Sequence, residues 1–481
     1  MSMRLRDFSY PTLQYIHSLW LGLTNKCQCF QKHHPFCICS LYWLSGLLSR
    51  PYPACGAILL IILHLFTPKK QPKYQILLGI CFLVPLFTCS PPPRHHAGPA
   101  SGKFFIKYKY KRENSYLGEA LVLNYPCGTT YRQLPSCIIL SATPLEIGKK
   151  YYLQGARVHH TSQFIFQSND RPRAILPSKI SQCHSYLRHL CEKRLLHLFS
   201  SQDVGKFASS LVLGTPLPSQ IKKHFQNKGL AHLFAISGWH FSLLSSGVFI
   251  LLSFFPTKIK CGLALPILSL FTLLFPFSPS VWRSWVSFVL FCISPYFSGS
   301  CSSLNRLGVG FIVCSSIFSI YLPDFSLSFL ATLGILLFFS RLFYFLYSPW
   351  EQMAPSYCQP ILRYILGSIS LSISSQIFLI FPIMKFFGSL PLEGYLYNLF
   401  VPLILLPLFF LICFSFFLPF FAPITELYIH YILSFPWLYS SNIFLSLSLP
   451  FLSPLPLTLL FSILFLIGIG LEKTQTTNIT Q

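Results

Sequence analysis

Apolar residues fall in long blocks along this chain, with one polar segment set between them. Short apolar stretches cover about 36–49, 52–67 and 74–90; Arg50-Pro51 divides the first two, and Lys69, Lys70 and Lys73 precede the third. From Pro91-Pro92-Pro93 the chain turns polar. Beyond Gly229 the apolar runs return, broken near Pro256, Pro279, Pro323, Pro349 and Pro391. Runs such as Leu243–Phe255, Ile361–Phe381 and Leu396–Pro419 are long enough, with their flanks, to cross a ~30 Å hydrocarbon core. The pattern predicts about three membrane helices before Pro91 and about eight or nine after Gly229. No fixed-period repeat is visible.

Inside the polar segment the period changes to two. Phe104, Ile106, Tyr108 and Tyr110 alternate with Lys103, Lys107, Lys109 and Lys111, which predicts a strand with one apolar and one cationic face. Further strand-like runs follow at about 119–125, 136–141, 150–159 and 163–167, with Gly128 and Gly148 in the turns between them. Five short strands suit a small β-barrel of OB type. Cys127 and Cys137 flank the turn between the second and third runs, so they are the candidate disulfide in an oxidising compartment. From Ser181 the period becomes helical. Leu187, Leu190, Cys191, Leu195 and Leu198 line one side, and Arg188, Lys193 and Arg194 the other, as in an interfacial amphipathic helix. A second such stretch, about 203–225, is interrupted by Gly214-Thr215-Pro216.

The expected fold is a polytopic α-helical membrane protein with an extracytoplasmic OB-like β-barrel near its N-terminus. Its divisions are a cytoplasmic segment (1–35), N-terminal membrane helices (36–90), the β domain (91–175), interfacial helices (176–228), a membrane domain (229–471) and a tail (472–481). The positive-inside rule places the basic clusters around Arg50 and Lys69–Lys73 in the cytoplasm, which sends Pro91 to the outside.

Composition removes the soluble alternatives. Only 10% of the 481 residues are charged, against 53% hydrophobic, where a soluble protein has roughly 25% charged. The formal net charge of +24 is concentrated, because residues 91–230 hold 20 Lys/Arg against 6 Asp/Glu. A basic surface of that kind attracts nucleic acid or anionic headgroups; a loop that is basic without a partner is the plainer alternative. The Cys27, Cys29, His33, His34, Cys37 and Cys39 tract has metal-ligand residue types, but its spacing fits no zinc pattern. No metal and no cofactor are expected.

The most informative stretch runs from Gly229 to His240. Ala231, Ala235, Gly238, Ser242 and Ser245 recur at three- and four-residue spacings, which predicts one helix with a smooth stripe for close packing. On such a helix His232 and His240 would project within roughly 80° of each other. They are either groups on a pathway or hydrogen-bonded rings at the membrane interface. Arg283, between Trp282 and Trp285, would meet either phosphates or lipid headgroups. Asn305 and Asn398 can link helices, and Pro402 cannot donate to the Asn398 carbonyl. Asp324 is placed to cap a helix, while Gln376 and Lys385 have no assigned role.

Taken together, these residues resemble the ComEC-type competence family of DNA-uptake channels. The shared run is Gly229-Leu230, His232-Leu233, Ala235-Ile236-Ser237-Gly238 and His240. Leu213-Gly214, Gln226–Gly229, Val281-Trp282-Arg283, Leu304-Asn305, Phe325–Ala331, Tyr397-Asn398-Leu399 and Pro402 keep the family's order. The resemblance implies an inner-membrane, multi-pass bacterial channel that passes single-stranded DNA in natural transformation. Gly229, His232, Ser237, Gly238, His240, Arg283, Asn305 and Asn398 would then be its channel positions. Lys103, Lys107, Lys109 and Lys111 would be the DNA-binding face of the β domain. A membrane DNA receptor, a cytoplasmic DNA-translocating ATPase and a separate nuclease are the implied partners beside the lipid bilayer, with a homo-oligomer as a further option. Many family members end in a metallo-β-lactamase-like domain. No His-x-His-x-Asp-His-like cluster is present here, so the chain is expected to lack that domain and not to be an enzyme. Two other classes stay open. One is an exporter or flippase of another anionic polymer or lipid. The other is a membrane-embedded hydrolase using His232, His240 and Glu426 with His430.

Overall fold

The computed structural model describes residues 23, 26–27, 29–49, 51–66, 72–88, 98–109, 115–124, 130–132, 136–141, 145, 150–159, 164–168, 173–174, 179–234, 238–297, 301–318, 323–387, 390–391, 393–434, 446–447 and 453–471. The first three apolar blocks are helices α1 (Pro35–Ser49), α2 (Pro53–Phe66) and α3 (Pro72–Thr88). Each starts on a proline, whose fixed φ and missing N–H suit the first helical turn. Near the start of α1, Tyr74 of α3 donates to the Pro35 carbonyl at 3.1 Å.

The polar segment folds into β1 (Gly98–Lys109), β2 (Ser115–Asn124), β3 (Thr130–Arg132), β4 (Ser136–Ser141), β5 (Lys150–His159), β6 (Phe164–Ser168) and β7 (Arg173–Ala174). It is a mixed sheet. β1 pairs antiparallel with β2, β2 with β4, β6 with β5, and β5 with β1, while β4 and β6 run parallel. The ladders therefore lead from β1 through β2, β4, β6 and β5 back to β1, a circuit of five strands, with β3 and β7 added on β2 and β5. Phe104, Ile106, Tyr116, Ile139, Leu145, Tyr151, Leu153 and Phe166 form its buried centre. The Phe104 and Phe166 rings lie 4.5 Å apart, and the Tyr116 hydroxyl accepts from the Leu145 N–H at 2.9 Å.

The alternation expected from Phe104 to Lys111 is followed by the described side chains, with Lys103 exposed and Phe104 and Ile106 buried. The β1–β2 register shifts between Ile106 and Tyr108, so Lys107 stands without an opposite residue. β1 ends at Lys109; Tyr110, Lys111 and Cys127 lie outside the described residues.

The rest is helical: α4 (Lys179–Leu198), α5 (Gln202–Leu213), α6 (Ser219–Asn227), α7 (Gly238–Leu251), α8 (Thr257–Thr272), α9 (Pro279–Ile293), α10 (Ser303–Ile317), α11 (Pro323–Glu351), α12 (Gln359–Gln376), α13 (Ile380–Phe387), α14 (Glu393–Phe417), α15 (Ala422–Ser434) and α16 (Pro454–Leu471). Among the described residues, α11 and α14 are long and apolar enough to cross a membrane; α1, α2, α3, α7, α10 and α16 are shorter apolar helices. The break expected near Pro349 falls at the end of α11, at Glu351.

Among the described residues, two of several apolar cores are the largest. In the first, Leu195 and Phe199 at the end of α4 meet Phe207 of α5, Phe225 of α6, Phe409 of α14 and Ile429 of α15. α4 thus differs from a simple interfacial helix. Its C-terminal part is buried in this core, whereas Tyr186 and Leu190 are exposed. The second core joins α1, α2 and α3 to Leu337 of α11, Phe378 after α12, and Phe465 of α16.

Candidate functional site

The Gly229–His240 stretch is not one helix. α6 ends in a Schellman turn: the Leu230 N–H donates to the Phe225 carbonyl at 2.8 Å, and the Gly229 N–H to the Gln226 carbonyl at 3.0 Å. Gly229 has φ 71°, a left-handed conformation that costs glycine nothing. Leu230 and Phe225, the apolar pair that accompanies this turn, are both buried in the first core. A 3₁₀ turn follows at Ala231–Leu233, and α7 begins only at Gly238; Ser237 lies outside the described residues. The expected single helix is therefore overturned, and with it the shared face of the two histidines.

His232 is exposed on the 3₁₀ turn, with Nδ1 3.0 Å from the Gly229 carbonyl oxygen and the Asn398 side chain facing its ring. His240 is fully buried in the first turn of α7. The backbone of Leu211 engages it, and its ring lies 5.0 Å from that of Trp239 and 6.1 Å from that of Phe409. Asn398 sits in the first half of α14, which continues through Pro402 and Pro407 to Phe417.

The close approach at Gly238 is also not the one the spacing predicts. A Cβ built there would stand 2.6 Å from Arg283 Nη2 and 3.0 Å from Ser284 Oγ. Gly238 makes room for a guanidinium rather than for a second helix backbone. Arg283, on α9, is half-buried. Its Nε donates to Ser328 Oγ on α11 at 2.9 Å, and its Nη2 reaches Ser284 Oγ at 3.4 Å. Ser328 in turn donates to Ser280 Oγ at 3.2 Å, and the guanidinium carbon stands 5.9 Å from the Phe329 ring centre. Among the described residues Arg283 has no carboxylate partner. Its described neighbours are the Ser284 and Ser328 hydroxyls, the Phe329 ring and the Cys314 thiol, which among the described residues leaves part of the guanidinium fork's donor capacity unused.

A second cation, which the sequence reading missed, is held in the opposite way. Lys228 is 2% exposed, and its Nζ donates to Glu393 Oε2 at 3.2 Å, with the Tyr397 ring centre 5.4 Å away. The pair ties the end of α6 to the first residue of α14, where a carboxylate also suits the helix dipole. Glu393 is one of five acids after Ala231. That scarcity was the available signal.

Asn305 lies away from these groups. Its Nδ2 donates to the His33 carbonyl at 3.0 Å, and its Oδ1 accepts the Phe36 N–H at 3.1 Å. It fastens the first turn of α1 to α10, beside a 2.7 Å contact between His34 Nδ1 and Ser302 Oγ. Glu426 is likewise occupied. It accepts the Ser200 and Ser201 N–H groups, each at 3.1 Å, and its pairing with His430 is 3.9 Å. Among the described residues no three His, Cys, Asp or Glu converge as a metal site, and Cys27, Cys37 and Cys39 are buried. Lys103 is exposed on β1. The side chains of Lys107, Lys109 and Cys137 are outside the described set, so nothing places the Cys127–Cys137 pair.

Residues 211–474 match the model of the family described as Competence protein, which is more than half of the chain. The chain belongs to the competence protein family. No curated protein and no solved structure matches it. Membership ties the chain to competence and, coarsely, to DNA uptake; with the apolar α11 and α14, it also supports a membrane protein. The matched region runs from the end of α5 to beyond α16. It holds Gly229, Gly238, Arg283 and the Lys228–Glu393 pair, while the β-strand segment lies before it.

Proposed function

We propose that this competence-family chain is a multi-pass channel of the bacterial inner membrane that passes single-stranded DNA inward. The observation that carries the reading is Arg283. Arg283 lies about one turn into α9, in an otherwise apolar run, and a charged residue in such a run usually pairs with an acid, lines a watery path or reaches the headgroups. Here the cation is held by Ser284 and Ser328 hydroxyls and has no acidic partner among the described residues. A DNA phosphate supplies the missing charge and matches the planar fork. We further read the five-strand circuit as a small OB-like barrel outside the membrane, with Lys103, Lys107, Lys109 and Lys111 meeting the strand's phosphates. On this reading the chain transports DNA without cleaving it, and a receptor, an ATPase and a nuclease are separate proteins.

The hydrolase alternative has less support, because Glu426 is occupied by two backbone N–H groups and His232 and His240 do not share a face. The test is internalisation of labelled DNA by cells with the gene, without it, and with it restored. The proposal expects uptake to vanish and return with the gene. Unchanged uptake in the deletion strain would end it.

A further inference from the structure

A cavity of about 150 Å³ opens between the second core's helices, lined by Cys27 and Gln31 ahead of α1, Leu44 of α1, Leu63 of α2, Leu333 of α11 and Phe465 of α16. A closed apolar cavity of that size stays dry and takes a small hydrocarbon. This one is a partly open cleft, so a longer chain can enter from its side. The medium around apolar spanning helices is lipid, which makes an acyl chain the ready occupant.

The lining is not wholly apolar, since Gln31, Thr458 and Ser462 contribute to it. Gln31 is 5% exposed; its amide meets Tyr74 of α3, but its Oε1 has no hydrogen-bond partner. A buried acceptor without a donor is unfavourable, so an occupant that brings an O–H to it is favoured over one that does not. Lys26 and Lys32, on the same short segment as Gln31, are exposed; Lys26 Nζ already donates to the Gly470 carbonyl at the end of α16. Both cations are exposed next in sequence to the cleft-lining Cys27 and Gln31, and an anionic phosphate is the matching partner for them.

We infer that the cleft binds one anionic diacyl phospholipid whose headgroup carries a hydroxyl. One acyl chain lies among Leu44, Leu63, Leu333 and Phe465, the headgroup O–H donates to Gln31 Oε1, and the phosphate sits by Lys26 and Lys32. The bound lipid would seal the α1–α2 hairpin to α11 and α16. The inference rests on the membrane embedding proposed above, and on nothing about DNA.

The test uses the full chain in vesicles containing phosphatidylglycerol or phosphatidylcholine, each with a photoreactive diazirine on its acyl chain. Adducts are mapped by mass spectrometry. Phosphatidylglycerol should label the 461–466 stretch about tenfold more than phosphatidylcholine does, while the outward-facing Leu403 is labelled alike by both. Leu63→Trp should fill the cleft and remove the 461–466 adduct but not the Leu403 one; Ser462→Phe does the same from α16 if the first variant fails to accumulate. Gln31→Leu should keep the adduct and lose the phosphatidylglycerol preference. Labelling at Leu403 with none at 461–466 would overturn the lipid site and leave the membrane embedding intact. Equal labelling of 461–466 by the two lipids would overturn the headgroup assignment, and no labelling at either place would overturn both.

Discussion

The competence-family region holds two cations in opposite ways. Lys228 is almost wholly buried against a carboxylate at 3.2 Å, whereas Arg283 is half-buried among hydroxyls with no acid beside it among the described residues. A buried pair contributes little net stability, but breaking it is costly because the remaining charge has no water. Lys228 is therefore a fastener: its charge is neutralised inside the fold. The charge on Arg283 stays available. The contrast separates a residue whose charge is neutralised inside the fold from one that, on the channel proposal, meets an incoming anion.

The sharpest way to break the comparison is at the fastener. Glu393→Ala should destabilise the protein by about 3–5 kcal/mol, read as lower membrane abundance and a lower melting temperature. Replacing both partners, Lys228→Met with Glu393→Leu, should restore most of that stability. If the single variant melts like the parent, Lys228 is not dependent on Glu393.

Asn305 is a second fastener, by hydrogen bonds alone, so Asn305→Ala should cost about 1–3 kcal/mol. DNA uptake per molecule of surviving protein should be unchanged. A selective fall in uptake at full abundance would move Asn305 to the path.

Gly238 and Arg283 should act as one unit, since a Cβ at Gly238 meets the guanidinium. In a double-mutant cycle, Gly238→Ala should displace the guanidinium and cost less in an Arg283→Ala background, where the 3.0 Å approach to Ser284 Oγ is what remains. The coupling should be about 0.5–3 kcal/mol. Additive effects would mean that the close approach carries no weight.

The smallest effect belongs to the β domain. Replacing Lys103, Lys107, Lys109 and Lys111 by Ala in the full chain should flatten the salt dependence of single-stranded DNA binding. The slope should fall by roughly 0.7 log unit for each phosphate that is no longer neutralised. An unchanged slope would remove this strand from the DNA surface.

How much of this was legible depends on the range of the interaction. The boundaries of α1 to α3 and of β4, β5 and β6 follow from local blocks and alternation, and the structure places them within a few residues of the pattern. The break between Gly229 and Gly238 was hidden, because small apolar residues at three- and four-residue spacings look helical whether or not the backbone turns. What decides the turn is the burial of Leu230 beside Phe225, a tertiary fact. The Lys107 bulge was hidden for a related reason, since register is set by the partner strand. Lys228–Glu393 and Asn305–His33 join residues 165 and 272 positions apart, and no periodicity reports such pairs. Arg283 was legible as a rare charge in an apolar run, but not its hydroxyl cradle or its tie to Gly238.

The central claim is that Arg283 serves passing phosphate rather than the fold, and one measurement addresses it directly. Arg283→Gln keeps much of the length and hydrogen bonding while removing the charge, so membrane abundance and labelled-DNA internalisation should be measured together in one strain. The account predicts normal abundance with internalisation reduced at least about tenfold, since phosphate would cross a poorly screened zone without its counter-charge. Reduced abundance with normal internalisation per molecule would contradict it and make Arg283 a structural anchor.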